Sequence, residues 1–133
     1  MRALAPLLVL LAGCPGGGGE CQIDQDCSGS EICARNGECH AASDVRTIHV
    51  TWTIRGMPAS STTCATTPNF YILFSSPQVS DTYGYEPVPC AAGLFTIDKL
   101  PKRFNAVELG VGGGYSEQAT FDAQGNATFD LAP

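Results

Sequence analysis

The chain has 133 residues, with 13 acidic against seven basic side chains and a formal net charge of −6. That length holds one modest domain with extras, and a chain this acidic offers no basic surface to neutralise phosphates, which excludes nucleic acid as a partner. Seven cysteines in so short a chain point to bridges and an oxidising compartment, and an odd number leaves one of them free, intermolecular or modified.

Residues Leu4 to Ala12 form an apolar run behind Arg2, interrupted by Pro6. A membrane-spanning helix needs about 20 residues, so this run suits the apolar region of a secretion signal instead. It ends in Leu11-Ala12-Gly13-Cys14. An aliphatic residue, two small residues and a cysteine in that place resemble a bacterial lipobox. The resemblance implies that residues 1–13 are a lipoprotein signal peptide, that Cys14 carries the lipid, and that the membrane is a partner through this anchor. Each buried methylene contributes about 0.8 kcal/mol, so two or three chains hold firmly. The plainer alternative, an ordinary leader with Cys14 as a spare thiol, sits less well with the count: without Cys14 six cysteines remain, an even set. Pro15 to Glu20 then read as a glycine-rich tether, within a segment of residues 14–20, with a reach on the order of 13 Å. Pro15 stands where an aspartate marks inner-membrane retention in some bacteria, which directs the expectation to the outer membrane of a Gram-negative envelope.

Residues 21–40 read "CQIDQDCSGSEICARNGECH", with cysteines at every sixth position: 21, 27, 33 and 39. Only Ile23 and Ile32 are large and aliphatic, so cross-links must supply the order that a core cannot. Ser28-Gly29 and Asn36-Gly37 are turn signals, and two short hairpin-like loops held by two bridges are expected. Four cysteines allow three connectivities, and spacing does not choose among them. The pattern of Asp24, Asp26, Cys27, Cys33, Gly37 and Cys39 resembles the short cysteine-rich repeats of bacterial surface lipoproteins, and also the half-domains of Dickkopf-like and EGF-like modules. That resemblance implies Cys21–Cys33 and Cys27–Cys39. The alternatives are a zinc site with His40, although no C-x2-C knuckle occurs, and calcium on Asp24, Asp26 and Glu31, although no EF-hand loop occurs. Structural bridges are the expectation; no metal and no cofactor are predicted.

Beyond His40-Ala41-Ala42-Ser43 the composition changes, and residues 44–133 read as a β domain. Arg46 to Arg55 alternate strictly: Ile48, Val50, Trp52 and Ile54 share one face, Thr47, His49, Thr51 and Thr53 the other. That is a half-buried strand with Trp52 as core anchor. Phe70 to Ser75 carries Phe70, Ile72 and Phe74 on one face. Glu86 to Cys90 reads as an edge strand, because Pro87 and Pro89 donate nothing to a ladder. Further strands follow around Phe95 and Ile97, and around Val107, Leu109 and Val111. Gly112-Gly113-Gly114 reads as a turn. Tyr115 to Asp122 and Ala127 to Leu131 read as a closing hairpin across "DAQGN". The expected fold is mainly β: a small disulfide-rich module followed by a seven-stranded antiparallel β-sandwich. Gly93 to Pro101 and Arg103 to Val111, with Leu100-Pro101 and Phe104 at the turn, resemble the end of a transthyretin-like or carboxypeptidase-regulatory-like domain; an immunoglobulin-like topology is the competitor. Cys64 and Cys90 remain as a pair, and a bridge closing that loop contributes roughly 3–4 kcal/mol.

No catalytic constellation emerges. His49 falls on the outward face of its strand, and His40 sits beside Cys39. The glycine runs lack a phosphate-loop lysine, and no nucleophile elbow occurs. Asn126-Ala127-Thr128 is formally a glycosylation sequon. Lys99, Lys102 and Arg103 read as a solvated loop. "DTYGYEPVP" places Tyr83, Tyr85 and Glu86 at a sandwich rim, where aromatic side chains stack on sugars or anchor a protein. Two functions follow as expectations: a non-catalytic, lipid-anchored interaction protein that holds an envelope protein or polysaccharide, or a carbohydrate- or small-ligand-binding module that uses the loop at 82–89.

Overall fold

The computed structural model describes residues 21–133. The expected leader of residues 1–13, the expected lipid site at Cys14 and the expected tether of residues 14–20 lie outside the described residues. The fold is mainly β, with a small disulfide-rich module followed by a two-layer β-sandwich.

The module begins with a short 3-10 turn at Asp24–Asp26, whose Asp26 carboxylate accepts the backbone N–H of Gln22 and Ile23. Strands β1 (Glu31–Cys33) and β2 (Cys39–Ala41) then pair antiparallel. Two hairpin-like loops were the expectation; the structure has one hairpin and one 3-10 loop. The reason is local, since Asp26 folds back on the start of its own segment and supplies the hydrogen bonds that a partner strand otherwise would. Gly37, at φ +82°, makes the hairpin turn. Bridges join Cys21 to Cys33 and Cys27 to Cys39. These are the pairings that the cysteine-rich repeats imply, and they lie side by side, with the sulfurs of Cys21, Cys27 and Cys39 within 4.8 Å of one another.

A 3-10 turn at Ala42–Asp44 leads straight into the sandwich. Strand β3 (Val45–Ile54) is its spine. The alternation read from its sequence becomes burial of Ile48, Val50, Trp52 and Ile54. One edge of β3 pairs with β10 (Asn126–Leu131); the other pairs with β7 (Leu94–Pro101) and the two-residue β4 (Met57–Pro58). The second sheet has the order β6-β5-β8-β9, formed by β6 (Asp81–Pro89), β5 (Asn69–Ser76), β8 (Ala106–Gly110) and β9 (Ser116–Thr120). Phe70, Ile72 and Phe74 of β5 face Trp52, Phe95 and Phe121 across the core, with Trp52 and Phe70 in an edge-to-face contact at 6.1 Å.

Three expectations change. The sandwich has eight strands, β4 being the addition. The last strand runs parallel to β3, with Asn126 opposite His49 and Leu131 opposite Ile54, so the sandwich is not wholly antiparallel. The closing segments are also not a hairpin: β9 completes one sheet and β10 joins the other. The turn is tight, because Asp122 accepts the N–H of Gln124 and Asn126 through its side chain. Burial then decides where β10 goes. Ala127, Phe129 and Leu131 are all buried, and beside β3 they reach the core. β6 is an edge strand, as the prolines require, but it starts at Asp81 and takes in what reads in sequence as a loop.

Candidate functional site

Cys64 and Cys90 are joined, closing a separation of 26 residues. Both are buried, and the Trp52 indole N–H donates to the Cys90 carbonyl at 2.8 Å. The bridge therefore ties the loop after β4 to the corner between β6 and β7, directly under the core tryptophan. That placement is structural: the sulfurs are enclosed rather than presented to a substrate.

The predicted rim of Tyr83, Tyr85 and Glu86 is not assembled. All three lie on strand β6, where neighbours point to opposite faces. Tyr83 and Tyr85 turn inward and are half-buried. Tyr83 packs at 6.5 Å from Phe104, and Tyr85 at 5.2 Å from Phe95. Their hydroxyls hydrogen-bond each other at 2.8 Å, and burial, followed by the bond to Tyr83, pushes the Tyr85 phenol well up. Glu86 is exposed on the outer face instead. A period of two places Tyr83 and Tyr85 together and Glu86 apart from them; the sequence signal was present, but it is hidden once the segment is read as a loop. His49 does lie outward, its Nδ1 3.0 Å from the Thr96 hydroxyl.

The basic cluster is where sequence reasoning missed most. Lys102 is exposed, but Lys99 and Arg103 join the module to the sandwich. Lys99 Nζ donates to both Asp24 oxygens, at 2.8 and 2.9 Å. Arg103 bridges Glu38 of the module and Asp81 of β6, each at 2.7 Å. Arg35 Nε donates to Asp98 at 2.8 Å, and the Arg35 backbone N–H donates to the Lys99 carbonyl at 3.1 Å. Lys99 sits in a β-bulge, where the register against β3 shifts and its φ is +51°. A bulge re-aims a side chain, and this one turns an inner-row position outward to the module. A cleft of about 380 Å³ follows the seam, floored by Lys99 and walled by Gln22, Asp24 and Arg35, and its charges are those already paired. The signal for this seam is opposite charge some 60–75 residues apart, which no local pattern displays.

The seam has a pH dependence of known sign. The hydrogen bond from Lys99, then that from the Cys33 N–H, holds Asp24 below its ordinary value of 3.8. Burial pushes Glu38 up, but hydrogen bonds from Arg103, Asn36 and His40 outweigh it and leave Glu38 lowered. A carboxylate with a depressed folded pKa stabilises fully above its unfolded value and loses that contribution as pH falls through the folded one. The module is therefore expected to tumble with the sandwich at neutral pH and to gain independent motion below about pH 4, read by backbone NMR relaxation of residues 21–41. The Lys99→Ala, Arg103→Ala variant is expected to show that motion at neutral pH; unchanged relaxation in the variant would mean that the bridged hairpin is held by something other than these pairs.

No known protein family, curated protein or solved structure matches this chain. Among the described residues no helix is long and apolar enough to cross a membrane.

Proposed function

We propose that this protein is a lipid-anchored interaction protein of a Gram-negative envelope, on the outer membrane, that performs no reaction of its own and holds a partner close to the bilayer. One observation carries the reading. Three bridges use all six cysteines of the described residues, so none of those six is left to pair with Cys14, in Leu11-Ala12-Gly13-Cys14. A lipid accounts for that sulfur and for the apolar run before it. The anchored end would reach the module at Cys21, and the seam of ion pairs fastens the module to the sandwich. A dense set of bridges also suits an exported domain that must persist in an oxidising envelope.

The test is metabolic labelling with an alkyne-modified palmitate in a Gram-negative host that expresses the full chain. The natural chain is expected to be labelled and to fractionate with the outer membrane. The Cys14→Ala variant is expected to lose the label entirely and to accumulate as a longer precursor. A natural chain without label, or a variant labelled equally, overturns the lipid anchor. Crosslinking in intact cells, followed by mass spectrometry, then identifies what the sandwich holds.

A further inference from the structure

The outer face of the sheet β6-β5-β8-β9 carries a feature that the predicted rim lacks. Tyr71 and Leu73 stand on the outer row of β5, opposite Gly110 of β8 and Gly84 of β6 respectively. Both glycines lie within strands, where glycine is disfavoured unless something must come close to the backbone. Here the nearest objects are the Ile72 carbonyl at Gly84, and Ser116 and the Tyr115 carbonyl at Gly110, with these two side chains next. A Cβ at Gly110 would stand 2.8 Å from the Tyr71 hydroxyl, and one at Gly84 would stand 3.1 Å from Leu73 Cδ1. The two side chains therefore do not rise from the sheet. They lie down across it in opposite directions, Tyr71 toward β8 and Leu73 toward β6, and together make a flat, half-exposed apolar platform.

The surround is polar and specific in composition. The Tyr71 hydroxyl donates to Glu108, and the Gln118 amide donates to the other Glu108 oxygen at 2.6 Å. Those two bonds, Tyr71 first, hold Glu108 below the usual carboxylate range. Ser116 lies beside Tyr71 and Glu108 on the same face, and Glu86 reaches the Tyr71 end of the platform next to the Gly112 turn. No lysine or arginine stands on these outer rows among the described residues.

We propose that this face is a binding site for a neutral saccharide, with a sugar ring stacked on Tyr71 and Leu73 and its hydroxyls bonded to Glu108, Ser116, Gln118 and Glu86. A pyranose ring has an apolar face of C–H groups and an equator of hydroxyls; a flat apolar platform with mixed donors and acceptors at its edge is the complement of that shape. Charge narrows the class. Two carboxylates and no cation repel an acidic polymer. The two carboxylates would also attract a cation, but a simple cation lacks the apolar ring face that Tyr71 and Leu73 complement. The site is independent of the lipid anchor, so either reading stands if the other fails.

The test uses the full chain in detergent on an array of immobilised neutral, acidic and cationic polysaccharides, with polylysine as a further probe. Binding is expected on neutral glycans and absent from acidic ones. Tyr71→Ala is expected to weaken it at least tenfold, Tyr71→Phe less than threefold, and a Tyr83→Phe, Tyr85→Phe variant not at all. Near-ultraviolet circular dichroism reports whether each variant keeps its packing. If Tyr71→Ala does not fold, Gln118→Ala on the exposed row of β9 decides, with at least a threefold loss expected. Failure of the natural chain to bind any neutral glycan overturns the proposal. So does equal affinity in the folded Tyr71→Ala or Gln118→Ala variant, as does binding only to cationic probes that is lost in Glu86→Gln.

Discussion

Replacing Trp52 with alanine is expected to lower the unfolding free energy by about 4 kcal/mol, within the range for large aromatic truncations in a core. In a domain of this size that is a fall in Tm on the order of 15 °C. Trp52 is 3% exposed and sits on β3, which pairs along both edges. Its ring meets Phe70 of the opposite sheet edge-on, so the truncation opens a cavity between layers that are close-packed elsewhere. The indole N–H also donates to the Cys90 carbonyl, which alanine leaves with the Gly93 N–H alone. Trp52→Phe separates the two contributions. It keeps most of the apolar volume and is expected to cost about 1–2 kcal/mol, much of it from the lost indole hydrogen bond. Urea titration followed by far-ultraviolet circular dichroism measures both. A loss below about 1.5 kcal/mol for Trp52→Ala would mean that the sheets are not held together through this ring.

Removing the Cys64–Cys90 bridge as Cys64→Ala, Cys90→Ala is expected to cost about 3.5 kcal/mol by the chain-entropy estimate for a loop of 26 residues. That is a large share of the stability of a small domain. The cost is not expected to add to that of Trp52→Ala, because the indole bonds to Cys90 itself and the two changes open one site. Burial also sets an order of reduction. Cys90 is 0% and Cys64 4% exposed, whereas Cys27 and Cys39 of the module are only half-buried. Stepwise reduction under native conditions, trapped by alkylation and mapped by mass spectrometry, is expected to release Cys27–Cys39 before Cys64–Cys90. The reverse order would show that the loop after β4 opens more readily than its burial allows.

The elements were legible wherever burial has a local signature. Alternation in β3 and β5 marks the inward residues, and the structure buries those side chains. Proline at 87 and 89 marks β6 as an edge, and β6 is one. The misreadings share a cause. "DAQGN" is a tight turn in sequence and in structure, but a turn at a sandwich corner and a turn in a hairpin use the same local chemistry, so the change of sheet between β9 and β10 leaves no mark. "DTYGYEPVP" has the tyrosines, glycine and prolines of a loop, yet its alternation places Tyr83 and Tyr85 inside and Glu86 outside. Lys99 and Arg103 look like solvated charge because their partners, Asp24 and Glu38, are remote in the chain.

The amino-acid sequence by itself determined that the protein is mainly β, which residues of β3 and β5 build its core, and that a single cysteine is left over from an even set. Periodicity and counting are sufficient for those, because they concern one strand or one residue type at a time. Only the tertiary structure decided which strands share a sheet, that β10 runs parallel to β3, that a bulge at Lys99 fastens the bridged module to the sandwich, and that Tyr71 rather than Tyr83 or Tyr85 lies open on a sheet face. Each of these depends on a partner brought close by folding, and the identity of a distant partner is not written in the local pattern of either segment.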